Sequence, residues 1–520
     1  MLSLLMAASA AVGSQIAQRP TASVQRQTID ERRTLDDRRS ALDDRAELPR
    51  ATVDVRDPAT SGRIVHVAAG ESLQSAIDAA TPGDRITLDA GATYEGPFHL
   101  RKKEGDAWIV IASNRLRELP AGKRVTPAEA RAMAKLVSSS KSAIISDAGA
   151  HHYRFEGVEI APGESEFLHN LIELGNDNAD PTAIPHHVVF DRTYIHGDRR
   201  KGGRRGVAMN GGDLAVINSH LSDFKEVGAD SQAIAGWNGP GPFKIENNYL
   251  EAAGENVMFG GADPAVNGLV PSDIHIVRNH FAKPLRWKID HPSYEGTPWA
   301  VKNLFELKNA RRVLVEGNLL EHNWPHAQNG FAILFTPRNQ EGRAPWSVVE
   351  DVTFRNNVVR NVAAGFNILG RDDNHESRQT RRIAIHNNLL SDVGGQWGGN
   401  GRLFQLLDGT AGVAITHNSA ERTTGGVVFG GDHDPHTAFV FENNVVPDNG
   451  AGFVGSGTGV GAATIGRYFP GARIKGNVFS GGKPEQYPPG NLFARDDHNR
   501  AGADMRALTE AVSEVSSWPN

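Results

Sequence analysis

The sequence predicts an all-β solenoid: a single parallel β-helix of about eleven coils. Three observations predict it. First, a short apolar pattern built around a turn recurs from Arg154 onward, as RFEGVEI, VFDRTYI, AVINSHL, KIENNYL, HIVRNHF, LVEGNLL, TFRNNVV, AIHNNLL, AITHNSA, FENNVV and RIKGNVF. Second, the aligned turn positions (Val158, Thr193, Ser219, Asn248, Asn279, Asn318, Asn357, Asn388, Asn418, Asn444 and Asn477) are spaced 26 to 39 residues apart. That period marks one supersecondary unit per repeat. A leucine-rich repeat would need a shorter and stricter Leu/Asn pattern. A propeller blade would need a longer unit with hairpin signals. Third, the turn position becomes Asn in coil after coil. Asn tolerates the left-handed backbone region, and stacked amides can bond along a solenoid axis.

Composition bounds the function. The chain has 520 residues and a net charge of −6, from 55 basic and 61 acidic residues. No basic excess calls for nucleic acid. No cysteine is present, which excludes disulfides, thiolate chemistry and cysteine zinc sites. Glycine is frequent, at 56 residues, which suits many tight turns. No apolar run is long enough to span a membrane as an ordinary helix.

In chain order, residues 1–17 read as the apolar part of a signal peptide, without a positive n-region. This places the protein outside the cytoplasm, secreted or periplasmic. Residues 18–61 are polar, with Leu35-Asp36-Asp37-Arg38 repeated as Leu42-Asp43-Asp44-Arg45, and are expected to be a disordered, solvated leader. The β-helix is placed at 62–500. Ile64–Val67 opens it as a strand. Ser72 is a helix N-cap, with Leu73, Ala76, Ile77 and Ala80 on one face. Pro82-Gly83-Asp84 ends that helix, and Arg85–Leu88 and Trp108–Ala112 are further strands. Thr126-Pro127-Ala128-Glu129 spells a capping box with proline at N1, so a short surface helix is expected there. At the far end, residues 501–520 are expected to be a helix, with Ala507, Leu508, Ala511 and Val515 on one face.

The amphipathic helix followed by TPGDRITLDAGATYEGPF resembles the N-terminal cap of pectate-lyase-like β-helices. The resemblance implies a right-handed parallel β-helix whose first coil is covered by the capping helix. An uncovered solenoid end would expose its apolar cross-section.

A solenoid is a scaffold, so its chemistry must be read from side chains on one face. The coils 280–318 and 319–357 are swollen, and their loops carry Trp287, Tyr294, Trp299, Trp324 and Trp346. Aromatic faces suit sugars, and they equally suit packing of the loops onto the barrel. Trp299, Trp324, His326, Asn329 and Asp372 are the expected substrate-binding residues. At the exits of successive strands sit Asn176, Asn210, Trp237, Asp263, Lys308, Arg338, Arg371, Asp372, Asp408 and Asp432. Lys308, Arg338 and Arg371 in consecutive coils suit a polyanion. The reaction that fits is β-elimination from a uronic-acid polysaccharide. It needs the carboxylate neutralised, a base for the adjacent proton and an acid for the leaving oxygen. Lys308 is the expected base, on the premise that nearby cations lower its pKa. Arg338 or Arg371 would neutralise the carboxylate. A Ca²⁺ ion held by Glu306 and Asp263 would be the alternative.

Glu306, Lys308 and Arg338 resemble the chondroitinase B and alginate lyase group, in which a Lys follows a Glu-bearing strand and an Arg lies in the next coil. The match covers roughly two coils. The group's Lys-Ser is Lys308-Asn309 here, and its Arg-His-Gly is Pro337-Arg338-Asn339. The resemblance implies a polysaccharide lyase working on an acidic polysaccharide; a monomer is expected. Two other readings stay open. Gly370-Arg371-Asp372-Asp373 resembles the paired aspartates of polygalacturonase-type glycoside hydrolases, although their Gly-His-Gly is absent. The third reading is a β-helix that binds polysaccharide without turnover, its charged column locked in mutual salt bridges. The pairs His151-His152 and His186-His187 match no standard metal spacing and are expected in surface loops.

Overall fold

Each repeat forms one coil of three short strands. In the coil that opens at Ala310 these are Ala310–Glu316, Leu319–Asn323 and Phe331–Phe335, and the next coil opens at Val349–Arg355. Strands at equivalent points pair only in parallel, giving sheets A, B and C of 14, 14 and 12 strands in coil order. The molecule is a right-handed parallel β-helix, the hand that parallel crossovers take. The structure is a computed structural model and describes residues 45–59, 61–164 and 166–494. The signal-peptide reading of 1–17 and the helix expected over 501–520 lie outside the described residues.

Coils stack because identical side-chain roles repeat in register. In sheet A, Val315 sits over Phe354, then Ile385, Ile415, Phe441 and Ile474, all buried. Each such side chain contributes about 1.5–3 kcal/mol by leaving water. The turn joining sheets A and B carries the Asn column. Asn248, Asn279, Asn318, Asn357, Asn388, Asn418 and Asn444 each accept a hydrogen bond at their Oδ1 from the backbone N–H of the preceding rung, at 2.8–3.1 Å. Ser219 does the same for Thr193 through its hydroxyl. The left-handed residue is not the Asn itself. It is the residue before it, such as Arg278 (φ 55°), Gly317 (66°) or Asn387 (55°). Backbone tolerance and amide stacking therefore belong to two adjacent positions.

The eleven expected coils are an undercount, since sheets A and B each hold fourteen strands. The strands Ile64–Val67, Arg85–Leu88 and Ile109–Ser113 add coils in sheet A that lack the Asn turn. At the other end, Asn491 extends the ladder by accepting from Asn477 N at 3.1 Å, and Leu492–Ala494 follows it. Fourteen coils at roughly 4.8 Å per step make a cylinder of about 60 Å.

The helix after Ser72 spans Leu73–Ala79, with the Ser72 hydroxyl accepting from Ser75 N and with Leu73 and Ile77 in the barrel core. The helix at Thr126 is a 3₁₀ helix, Pro127–Ala132, and the Glu129 carboxylate accepts from Thr126 N at 2.6 Å. No helix among the described residues is long and apolar enough to cross a membrane.

Of the stretch expected to be a disordered, solvated leader, residues 45–59 lie across the outside of sheet A. Sheet A strands contain a second left-handed position, at Asp213, Asp273, Arg312, Asp351 and Arg382, that turns charged side chains outward. Asp351 accepts from Glu47 N at 3.0 Å, and Asp273 accepts from Arg50 N at 2.9 Å. Val53 is buried against Val189, Ala215 and Ile217. Arg154 donates to Val55 O and to Asp57, at 3.1 and 2.9 Å. The strap thus runs perpendicular to the strands and ties the coil of Asp351 to that of Arg154.

Candidate functional site

The outer face of sheet C lies between two sets of loops, those entering its strands and those leaving them. Register stacks Asn170, Arg205, Gln232 and Glu255 in one column, and Met258, Glu306 and Leu334 in another. The first column is a hydrogen-bonded chain. Arg205 donates to Gln232 at 2.9 Å, and Gln232 donates to Glu255 Oε2 at 2.7 Å. Glu255 Oε1 has no hydrogen-bond partner and lies 3.8 Å from Lys302 Nζ. Lys302 also pairs with Asp230. Glu306 accepts from Asn303 at 3.1 Å and from Thr336 at 3.4 Å, and its Oε1 is 3.5 Å from Lys308 Nζ. Lys308 can fold back beside that strand because residue 260 is glycine. A Cβ there would lie 2.8 Å from the Cβ of Lys308, and the backbone is left-handed at φ +95°.

Two buried carboxylates therefore sit beneath two lysines whose side chains are 16–17% exposed. Burial, with Glu306 and Asp230 nearby, pushes the Glu255 carboxyl up to about 7. Lys308 moves the opposite way from expectation. The Glu306 carboxylate raises its pKa, outweighing burial, and the lowering by Arg338 is smaller. Lys308 rests as an ammonium because its nearest charge is an anion, not another cation.

The raised Glu255 carboxyl has a consequence for stability. Its pKa is near 4.5 when unperturbed and about 7 here, so the folded state holds a proton that the unfolded state releases. Stability therefore falls as pH rises from about 4.5 to 7 and stays lower above that. Glu255→Gln keeps the shape without the charge. It is expected to melt higher than the parent at pH 8, by on the order of 3 kcal/mol, and with little gain at pH 5. Parallel pH–melting curves for the two proteins would show that Glu255 does not titrate in this range.

The other expected site residues are distributed differently. Arg338 is close to Lys308, donating its backbone N–H to Lys308 O at 2.9 Å, but its guanidinium is occupied by Asp372 and Asp373. Arg371 is exposed and makes no ion pair among the described residues. The three cations do not form one free column. The Asp372 side chain is buried and accepts from Arg338, Asn339 N and Asn374 N, as a turn aspartate does. Its role as a substrate-binding group or half of a hydrolytic pair is therefore filled by structure. His326 and Asn329 are exposed on the loop entering sheet C.

Trp299 and Trp324, expected in a sugar groove, are instead buried with Trp287, Val301 and Ala253 in a satellite cluster. Lys225 holds that cluster. Its ammonium lies 5.3 Å from the rings of both Trp287 and Trp299 and pairs with Asp223 at 2.5 Å. Packing has taken these aromatics: Trp287 and Trp299 of the 283–304 loop bury their rings in one cluster with Trp324. Glu306 and Asp263 are not gathered as cation ligands. Asp263 Oδ2 accepts from Glu341 N and Arg343 N, at 3.0 and 2.9 Å, clamping the loop that leaves sheet C. Among the described residues, neither belongs to a cluster of three metal-ligating groups. An ammonium and N–H donors are neighbours for an anion, not for Ca²⁺.

Sequence reasoning missed Arg205, Gln232 and Glu255, which arrive from other coils, and Lys302, which lies in the loop just before Glu306; none carries a local motif. It also missed a groove of about 1070 Å³ over sheet B, lined by Lys135, Glu159, His196, Tyr249, Glu251 and Arg286 among others. Several of its polar groups already meet one another: Lys135 and His196 at Glu159, and Arg286 at Glu251, at 2.9–3.0 Å.

No protein-family model matches this chain, and no curated protein does. Among solved structures it is similar to a mannuronic acid specific polysaccharide family 6 lyase from human gut microbiota. That match has 11% identity and a TM-score of 0.51, over 88% of this chain and 100% of that one. It is also similar to the catalytic unit of the GH87 α-1,3-glucanase from Streptomyces thermodiastaticus strain HF3-3, with 13% identity and a TM-score of 0.51, over 86% of this chain and 71% of that one. At these identities the likeness is one of fold.

Proposed function

We propose that this protein is an exported polysaccharide lyase that cleaves an acidic polysaccharide by β-elimination on the outer face of sheet C. The observation that carries the reading is the cluster of Glu255, Glu306, Lys302 and Lys308, in which two ammonium groups and two buried carboxylates share one site. Lys302, at the rim, is suited to hold a uronate carboxylate as the ammonium. The mannuronic acid specificity of one structural neighbour points to the same substrate class.

Lys308 is the proton-transfer residue. In its neutral form the amine takes the proton from the carbon beside the carboxylate. The C–H electrons form the ring double bond, and the bond to the glycosidic oxygen breaks. The new ammonium then returns a proton to that oxygen. Glu306 sets the price in pH, because its charge is the main reason Lys308 stays protonated. Activity is expected to rise toward alkaline pH. Glu306→Gln removes that charge and is expected to move the rising limb of the pH–kcat/KM profile to lower pH. A purely structural Glu306 would change the height of the profile and leave its limb in place.

The test is a panel of alginate, pectate, chondroitin and dermatan, followed by the ultraviolet absorbance of unsaturated uronates. New absorbance supports the lyase. Reducing ends without absorbance mean hydrolysis, and binding without either means a binding module. EDTA is expected to leave the signal intact, and its loss would return a Ca²⁺ ion to the mechanism.

A further inference from the structure

The paired histidines do not lie in surface loops. His151 and His152 open the strand His151–Glu156, and His186 and His187 open the neighbouring strand His186–Asp191, with His186 opposite His151. Alternation along a regular strand would send adjacent rings to opposite faces. Here His152 (φ 60°) and His187 (φ 54°) occupy the left-handed position of sheet A, so both rings of each pair emerge on the outside.

The result is a quartet of imidazoles. Within each coil the two Nδ1 atoms meet at 2.8 Å. Between coils His151 stacks on His186 with centroids 4.8 Å apart, and His152 stacks on His187 at 4.4 Å. Trp108 stands edge-on to His152 at 5.2 Å and walls one side. One nitrogen from each of His151, His152 and His186 lies within 4.8 Å of the others. The next coil adds Asp213, whose Oδ2 is 3.9 Å from His187 Nδ1.

We infer that this quartet is a site for a divalent transition metal of the borderline class that imidazole prefers, Zn²⁺, Cu²⁺ or Ni²⁺. Two ring nitrogens meeting at hydrogen-bond distance share one proton, so at least one lone pair already faces the gap. A tetrahedral metal with nitrogen ligands at 2.0–2.1 Å holds them about 3.3 Å apart. Opening each pair from 2.8 Å and closing the cross-coil separation from up to 4.8 Å brings the nitrogens to that spacing, and the shared proton passes through water to the ring's free Nε2 as the ion enters. His151, His152 and His186 supply three ligands. His187 or water completes the set, and the Asp213 carboxylate, 3.9 Å from the same His187 Nδ1, adds a negative charge at the edge of the site. Such an ion would clip two consecutive coils together on the face opposite the interior, independently of any reaction on sheet C.

The test uses the full chain without a polyhistidine tag, stripped with EDTA and dialysed. Titration calorimetry with Zn²⁺ and visible absorbance with Co²⁺ report stoichiometry and geometry. One equivalent per chain with a tetrahedral Co²⁺ spectrum is expected. His151→Asn and His186→Asn, made singly, are expected to weaken binding by about 10- to 100-fold while keeping the parental circular dichroism. Absence of binding by the parent would overturn the site. So would unchanged affinity in both variants, which would locate the ion at other histidines.

Discussion

Lys308→Ala is expected to lower the production of unsaturated uronate by at least about 100-fold, the range lost when a positioned proton-transfer group is removed. The expectation rests on Lys308 being one of the two partly exposed lysines of the sheet C cluster, and the one whose ammonium lies 3.5 Å from Glu306. Alanine also strips the cation from a buried Glu306, which by itself destabilises the fold. Lys308→Arg separates the two effects. It keeps the charge beside Glu306, and a guanidinium does not lose its proton at working pH. The arginine variant is therefore expected to melt like the parent and to remain inactive. Full activity in either variant, measured as initial ultraviolet absorbance, would remove Lys308 from the reaction.

The second large effect is on stability. Asn318→Ala takes away the acceptor for Asn279 N at 2.8 Å and for Asn279 Nδ2 at 3.0 Å, both buried. It also leaves Ile276 O without the amide that donates to it at 2.9 Å. Each orphaned group costs about 1–3 kcal/mol, so the variant is expected to lose several kcal/mol and to melt well below the parent. Asn318→Ser keeps a short acceptor, as Ser219 does for Thr193, and is expected to fall between the two. Thermal denaturation followed by circular dichroism reads this directly. An unchanged melting temperature would mean that the ladder adds nothing to the fold.

That same column explains why the fold could be read from the chain. An Asn that satisfies the coil below it must recur once per coil, so its spacing reports the coil length directly. The reading stopped where the ladder changes residue. The coils before Val158 close without Asn, and Asn491 follows its predecessor after only 14 residues, outside the expected period. The site was legible only where it is local. Glu306 lies on the strand Phe305–Leu307 with Lys308 just past its end and Lys302 just before its start, whereas Glu255 joins them through stacking alone. Charge type was visible at Lys308, but the sign of its pKa shift depends on which neighbour is nearest, and that is decided by three dimensions. Tryptophans in swollen loops were ambiguous for a related reason: the ring that would stack on a sugar is the same ring that fills a gap beneath a loop.

The strap over sheet A changes how the cylinder should come apart. A stack in which every coil touches only its neighbours can fray from its ends, one coil at a time. Here a single extended segment grips coils as far apart as those of Asp351 and Arg154. Losing any one coil in that span also loosens the cord that binds the rest, so the middle of the protein is built to fail as a block, with fraying confined to the turns beyond the cord's reach.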